Sequence, residues 1–269
     1  MTRFLLISSL LASHATAHHG RDFLLVLDAN VPSAGDWVSY SQFDFSSGDG
    51  PDESTVEIGA STGLFPHTSL NTTLAYADLD GRSWTWSAAS ASLQFDLTPA
   101  DSPIMIGFLA GRDFALDRDA DTAHEDHEEE AHHSEEGGEH GEDSHDHGEA
   151  THHEHTGLHQ HGIDACHARF IVEAALPGGA RLIGNLIGLF PDHGDTATGY
   201  ALGFRQPVNA HLSLGAEITG GFPFDDYQEA ALGIYYTPDH ALSMKLGIGA
   251  GLNSRSPDFT VHTGVVWKF

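Results

Sequence analysis

The last eleven residues, Phe259-Thr260-Val261-His262-Thr263-Gly264-Val265-Val266-Trp267-Lys268-Phe269, decide the fold class. Phe259, Val261, Thr263, Val265, Trp267 and Phe269 share one phase of a two-residue repeat, and Thr260, His262, Gly264, Val266 and Lys268 share the other. Period two sends the sets to opposite faces of a sheet, whereas helical spacing would mix them. The same alternation recurs upstream. Leu242, Met244, Leu246, Ile248 and Ala250 oppose Ser243, Lys245, Gly247 and Gly249, and Leu212, Leu214, Ala216 and Ile218 oppose His211, Ser213, Gly215 and Glu217.

Between such runs lie connections of two kinds, and the kinds alternate. Phe65-Pro66-His67-Thr68, Thr98-Pro99-Ala100-Asp101, Pro177-Gly178-Gly179, Pro207-Val208-Asn209 and Pro238-Asp239-His240 carry the Pro, Gly, Asn and Asp of tight turns. Looser polar stretches fall near 46–53, 78–83, 192–196, 220–227 and 253–257, and the acidic tract described below belongs with them. Counting back from Phe269 predicts strands over 36–45, 54–65, 69–78, 83–97, 103–113, 165–176, 179–190, 197–206, 210–219, 228–237, 241–251 and 258–269. An even strand number, short turns on one rim and longer loops on the other are how bacterial outer-membrane barrels are built. Runs of about ten residues match a tilted membrane strand, where soluble sheets use about five or six. The expected fold is therefore all-β, a closed antiparallel up-and-down transmembrane β-barrel of about twelve strands. The rival is a soluble sandwich or lipocalin-like barrel. Against it, the apolar phase carries Leu, Ile, Val and aromatics all round, and the chain ends in an aromatic on that phase.

The N-terminus reads as an export signal. Arg3, the apolar run Phe4 to Leu11 and Ala15-Thr16-Ala17 form the charged, apolar and cleavage regions of a signal peptide over residues 1–17. Residues 18–35 follow as a separate N-terminal segment, and 36–269 as the barrel. Phe23 to Asp28 is a thirteenth apolar run outside the count; it enters the lumen, pairs with an edge or lies in the periplasm.

The 269 residues carry 39 acids against 11 Lys plus Arg, a formal charge of −28. Such a polyanion is no nucleic-acid binder, and the single Cys166 excludes a disulfide framework or a multi-cysteine zinc module. Cys166 itself is expected on the outward face, as a small apolar residue. Residues 117–161 hold sixteen acids, twelve histidines and one base, Arg118, a net of −15. This tract lies within 114–163, expected to be a disordered extracellular loop. Its histidines, His124, His127, His132, His133, His140, His145, His147, His152, His153, His155, His159 and His161, are candidate ligands for Zn, Cu or Ni. No permanently bound cofactor is expected; capture would be many overlapping, individually modest sites. The rival is a solvated polyanion brush that gates the mouth or bridges divalent ions to lipopolysaccharide. Protonation of all twelve imidazoles would bring the tract from −15 to about −3. Two sharper motifs are weaker. Asp117-x-Asp119-x-Asp121 with Glu128 mimics an EF-hand loop but has Thr122 in place of the turn glycine. Cleavage after Ala17 would expose His18-His19 as a copper chelate.

The export signal, the barrel pattern, the terminal Phe269 and the acidic histidine loop resemble small Gram-negative outer-membrane barrels. The stretches Ser41-Gln42-Phe43-Asp44-Phe45, Thr98-Pro99-Ala100-Asp101-Ser102, Ser256-Pro257-Asp258-Phe259-Thr260 and the strand Lys245 to Leu252 resemble the transporter family linked by name to the phenol meta-cleavage pathway. The resemblance implies contact with outer-membrane lipid and insertion by the barrel-assembly machinery through the terminal aromatic. It carries no catalytic signature. The histidine tract departs from the family and puts an aromatic substrate in doubt.

With the apolar phase toward lipid, the inward set includes Arg169, Glu173, Arg205, Glu217, Glu229, Lys245 and His262, together with Glu57, Asp96, His167, Arg181 and His211. These charges either form a narrow polar path for small ions or pair across the lumen and fill it. Gly-x-Ser-x-Gly, P-loop and His-Glu-x-x-His are all missing, so no enzyme is expected. The expected function is a small-solute channel or transporter of the bacterial outer membrane with a metal-capturing loop. The alternatives are a non-transporting surface metal-binding barrel and a soluble periplasmic metal carrier.

Overall fold

A computed structural model of the chain describes residues 21–48, 51–78, 83–99, 102–116, 163–223 and 226–269. The export signal, His18-His19, the Asp117 motif and all twelve tract histidines lie outside the described residues.

Twelve strands form one closed antiparallel barrel: β1 (Trp37–Ser47), β2 (Glu53–Phe65), β3 (Thr68–Asp78), β4 (Thr85–Asp96), β5 (Ile104–Ala115), β6 (Ala165–Ala175), β7 (Arg181–Pro191), β8 (Ala197–Pro207), β9 (Leu212–Phe222), β10 (Gln228–Tyr236), β11 (Leu242–Gly251) and β12 (Phe259–Lys268). Each strand pairs with its sequence neighbours, and β1 closes on β12 with Val38 opposite Lys268 and Ser47 opposite Phe259. Closure leaves no edge, so the wall satisfies its own backbone groups, as a lipid-embedded sheet must.

The two-residue phase sorts the side chains as the sequence predicts. On β12, Phe259, Val265 and Trp267 are exposed outward, while Thr260, His262 and Val266 are buried inward. On β11, Met244, Leu246 and Ile248 face out and Ser243 and Lys245 face in. Aromatic residues gather at both rims. Trp267 stacks on Phe269 with ring centroids 6.1 Å apart, and at the opposite rim Tyr76 packs on Trp84 and Trp86 at 5.3 and 5.1 Å. An apolar outer wall between aromatic rims places the barrel in a membrane and removes the soluble carrier.

Three details differ from the sequence reading. Phe114 and Ala115 belong to β5 rather than to the loop, because Ala115 pairs with Ala88 across the sheet. A register shift at Ala75/Tyr76 gives β4 an extra residue, so Ser87 faces in on one side of it and Ser92 and Gln94 on the other. One inserted residue flips the faces, and simple alternation reads across it wrongly. His211 does not face the lumen. It sits exposed in the β8–β9 turn, with Nδ1 3.1 Å from the Thr237 carbonyl.

The apolar run of the N-terminal segment is inside the barrel. Phe23, Val26, Leu27 and Ala29 pack against Leu109, Ile171, Ile183 and Ala201 of the inner wall, all buried. Of the three placements open to this run, the structure takes the lumen.

Candidate functional site in the barrel lumen

The structure places all seven candidate lumen residues on the inner wall, and it divides them between two tiers. Toward the rim of tight turns lie Glu173 near the end of β6, Arg205 near the end of β8, Lys245 near the start of β11 and Glu217 midway along β9. Glu229, at the start of β10, and His262, on β12, lie toward the other rim. Arg169 stands between the tiers, half-buried, with Arg21, Glu57 and Asp113 as its charged neighbours.

The first tier is organised around the N-terminal segment. The Glu217 carboxylate accepts three successive backbone N–H bonds, from Leu24 at 2.8 Å, Leu25 at 2.6 Å and Val26 at 3.0 Å, and a fourth from the Tyr235 hydroxyl. The Asn185 side-chain amide pairs with both main-chain groups of Leu27, accepting from its N–H at 3.0 Å and donating to its carbonyl at 2.9 Å. Gln94 donates to the carbonyls of Asp28 and Asn30 at 2.9 and 3.1 Å, Arg205 to that of Asp22 at 3.1 Å, and Lys245 to that of Phe23. Arg181 binds acids from both sides: Asp22 of the segment at 2.5 Å and Glu173 of the wall at 2.6 Å, with Asp28 at 3.8 Å. An irregular segment in an interior needs partners for its main-chain groups; here the wall side chains supply most of those observed, and Asp28 of the segment accepts the N–H groups of Asp22 and Asn30 at 3.0 and 3.1 Å.

The second tier is a cluster of wall residues bonded to one another. His262 lies between two carboxylates, with Nδ1 2.7 Å from Asp44 and Nε2 2.6 Å from Glu229. Both ring nitrogens face acceptors, an arrangement that an imidazolium satisfies. Thr260 and Tyr227 also donate to Glu229. Burial, and the negative charge of Glu229, push the Tyr227 hydroxyl well above its ordinary value and keep it a donor. Gln42 joins the tiers, donating to Asp44 at 3.0 and 3.1 Å and to the Leu24 carbonyl at 3.4 Å. Beside the root of the histidine tract, His167 pairs with Asp113 at 2.8 Å.

Among the described residues no group of three or more His, Cys, Asp or Glu is arranged to hold a metal ion. The carboxylates around His262 show why: they sit on opposite ring nitrogens and do not converge on one point. Asp96 lies at the tight-turn rim, bonded to His67 at 3.0 Å. Cys166 is exposed on the outer face. Sequence reasoning missed Asn185, Gln94, Gln42 and Asp44; it singled out the segment that the first three hold, with the lumen as one of three placements. Their inward phase was readable, but uncharged amides carry no chemical signature of their own.

Closure, strand number and an apolar exterior define the class: an outer-membrane β-barrel, localised to the bacterial outer membrane. No family model matches the chain, and no curated protein does. Among solved structures, the KdgM porin superposes with a TM-score of 0.54 at 9% identity, over 86% of this chain and 99% of that one. The NanC porin gives 0.53 at 7% identity, over 86% of this chain and 100% of that one. At these identities the likeness is one of fold.

Proposed function

We propose that the protein is an outer-membrane channel or transporter for small solutes, in the manner of the transporter family its sequence resembles, and that its histidine-rich tract captures or buffers Zn, Cu or Ni at the outer rim. The observation that carries the channel reading is that the wall closes without the N-terminal segment. Every strand is paired on both sides by other strands, and the material filling the lumen is a separate piece of chain held by side chains. Twelve strands enclose more space than the eight whose side chains fill a barrel. The porin folds of similar size fit this reading.

The metal reading rests on composition. β5 ends and β6 begins on the rim opposite the tight turns, and the chain between them is the one with twelve histidines and sixteen acids. Imidazole and carboxylate together suit divalent transition metals. The same −15 charge would hold divalent ions against lipopolysaccharide.

The test is conductance of the purified protein in planar bilayers, with and without zinc, beside a variant lacking residues 117–161. The expected outcome is discrete steps in both proteins, zinc binding in the intact chain alone, and zinc affinity that falls between about pH 7 and 5 as imidazoles protonate. Equal zinc binding by the deletion variant would sink the capture role. The filled lumen favours a second reading, a non-transporting metal-binding barrel, which predicts no conductance even after the N-terminal segment is removed.

A further inference from the structure

We infer that the inner wall carries a peptide-binding site, and that residues 22–30 of the chain occupy it as a displaceable plug whose withdrawal opens the barrel. The inference rests on the channel reading and adds what closes the channel.

Three observations carry it. First, the wall addresses the main chain of the segment. Glu217 gathers three N–H groups, Asn185 reads both polar groups of Leu27, and Gln94, Arg205 and Lys245 cap carbonyls. Acceptors meet donors along an irregular stretch that bends at residues 23–25, so that the wall reads the main chain of the segment, as in recognition of a peptide ligand. Side-chain selectivity comes from Asp22 and Asp28 on Arg181 and from the apolar seats of Phe23, Val26, Leu27 and Ala29.

Second, the wall is shaped for this occupant. Inward glycines stand where the segment comes closest. A Cβ at Gly203 would lie 3.0 Å from the Phe23 ring, and one at Gly107 would lie 3.2 Å from the Ala29 Cα. Leu109, Ile171 and Ile183 place apolar surface inside the barrel directly against Phe23, Val26, Leu27 and Ala29.

Third, among the described residues the main-chain attachment to the wall is at the downstream end of the segment. The segment contributes no strand to the wall. Its link is a single bridge between Ala34 and Gly63, with Gly35 N–H donating to the Gly63 carbonyl at 2.9 Å. Gly35 has φ +88° and open space around its Cβ position, a conformation suited to a hinge. Residues 22–30, upstream of that hinge, are held to the wall by side-chain contacts, which break and re-form without disturbing the barrel ladder.

The experiment locks the plug reversibly. A Cβ built at Gly107 lies 3.4 Å from the Ala29 Cβ, near the separation of about 3.8 Å that a disulfide needs. Ala29→Cys with Gly107→Cys, in a Cys166→Ser background, is recorded in planar bilayers when oxidised and after dithiothreitol. Beside it, a variant lacking residues 21–33 is recorded alone and with a synthetic peptide of residues 21–33 added to its tight-turn side. The expected result is a silent oxidised protein, at least about tenfold more opening on reduction, a deletion variant that stays open, and block of that variant by the peptide. Equal conductance of the oxidised and reduced forms would overturn the plug while leaving the channel standing, as would an open deletion variant that the peptide does not block. A deletion variant that folds, judged by heat-modifiable migration, yet never conducts would overturn the channel reading and the plug with it.

Discussion

The two tiers of the lumen use the same residue types to opposite ends. In the tier near the tight turns, Glu217, Asn185, Gln94, Arg205 and Lys245 spend their hydrogen bonds on main-chain groups of a segment up to 193 residues away in sequence. In the outer tier, Asp44, Glu229, His262 and Thr260 spend theirs on one another across β1, β12 and β10. A wall charge bonded to its neighbour belongs to the wall, and removing it weakens the barrel. A wall charge bonded to a tethered segment belongs to a contact that another state lacks, and removing it shifts an equilibrium between states. The difference teaches that lumen charge alone does not distinguish a filled barrel from a gated one. What distinguishes them is whether the partners are on the wall.

The largest expected effect breaks the first tier. Glu217→Ala leaves the N–H groups of Leu24, Leu25 and Val26 and the Tyr235 hydroxyl without their acceptor. Each unsatisfied buried donor costs about 1–3 kcal/mol, and the whole cost falls on the plugged state, because in the withdrawn state water solvates these groups. Opening should rise by about a thousandfold or more, the ratio that about 4.1 kcal/mol sets, measured as single-channel open probability. The midpoint of barrel unfolding in urea should move little. A variant as closed as the wild type would show that the apolar seats, not the carboxylate clasp, hold the segment.

The clasp also marks where the sequence stopped being legible. Strands and turns were readable because both are local: the alternation Leu242 to Ala250 and the turn residues Pro177-Gly178-Gly179 each speak for themselves, and the observed strands follow them closely. The inward phase of Glu217 and Lys245 was readable for the same reason. Their partners were not, since no local pattern links Leu24 to a residue 193 positions on. The run Phe23 to Asp28 stood outside the strand count with the lumen, an edge and the periplasm all open to it, because an apolar peptide in a binding site and an apolar edge strand share composition. One signal was available. Ile171 lies between Arg169 and Glu173, and Ile183 between Arg181 and Asn185, on the inward phase of their strands. Bulky apolar residues facing a polar lumen ask for an apolar occupant. In β4 the strand itself and the inward phase of Asp96 were readable, but an extra residue opposite Ala75/Tyr76 reverses the phase upstream of it, and nothing in Ser87-Ala88-Ala89-Ser90 announces it.

A middle-sized effect tests the second tier. His262→Leu removes the group that separates Asp44 from Glu229 and leaves both carboxylates facing an apolar side chain. Thr260, Tyr227 and Gln42 still bond to them, so the loss is partial, about 1–3 kcal/mol. It should appear as a lower urea midpoint with open probability close to the wild type, the reverse of the pattern for Glu217→Ala. If His262→Leu instead opened the channel as strongly as the loss of Glu217, the tiers would be one cooperative unit, with Gln42 as the physical link between them.

The smallest effect lies outside the lumen and calibrates the other two. Arg112 donates to Asp192 at 2.5 Å on the outer rim, where both side chains are well exposed. The hydrogen bond from Arg112 holds the Asp192 carboxyl below its ordinary value. A carboxylate with a depressed folded-state value contributes stability that is present above the usual carboxylate range of about 4 and is lost as pH falls through and below it. Arg112→Gln should therefore lower the urea midpoint slightly at pH 7 and by less as pH falls below about 4, and the difference at pH 7 should shrink further in high salt, because exposed charges are screened. Conductance should be unchanged under every condition. A pair that contacts neither the plug nor the mouth cluster has no state to select, and any opening caused by its loss would mean that wall stability by itself controls the plug.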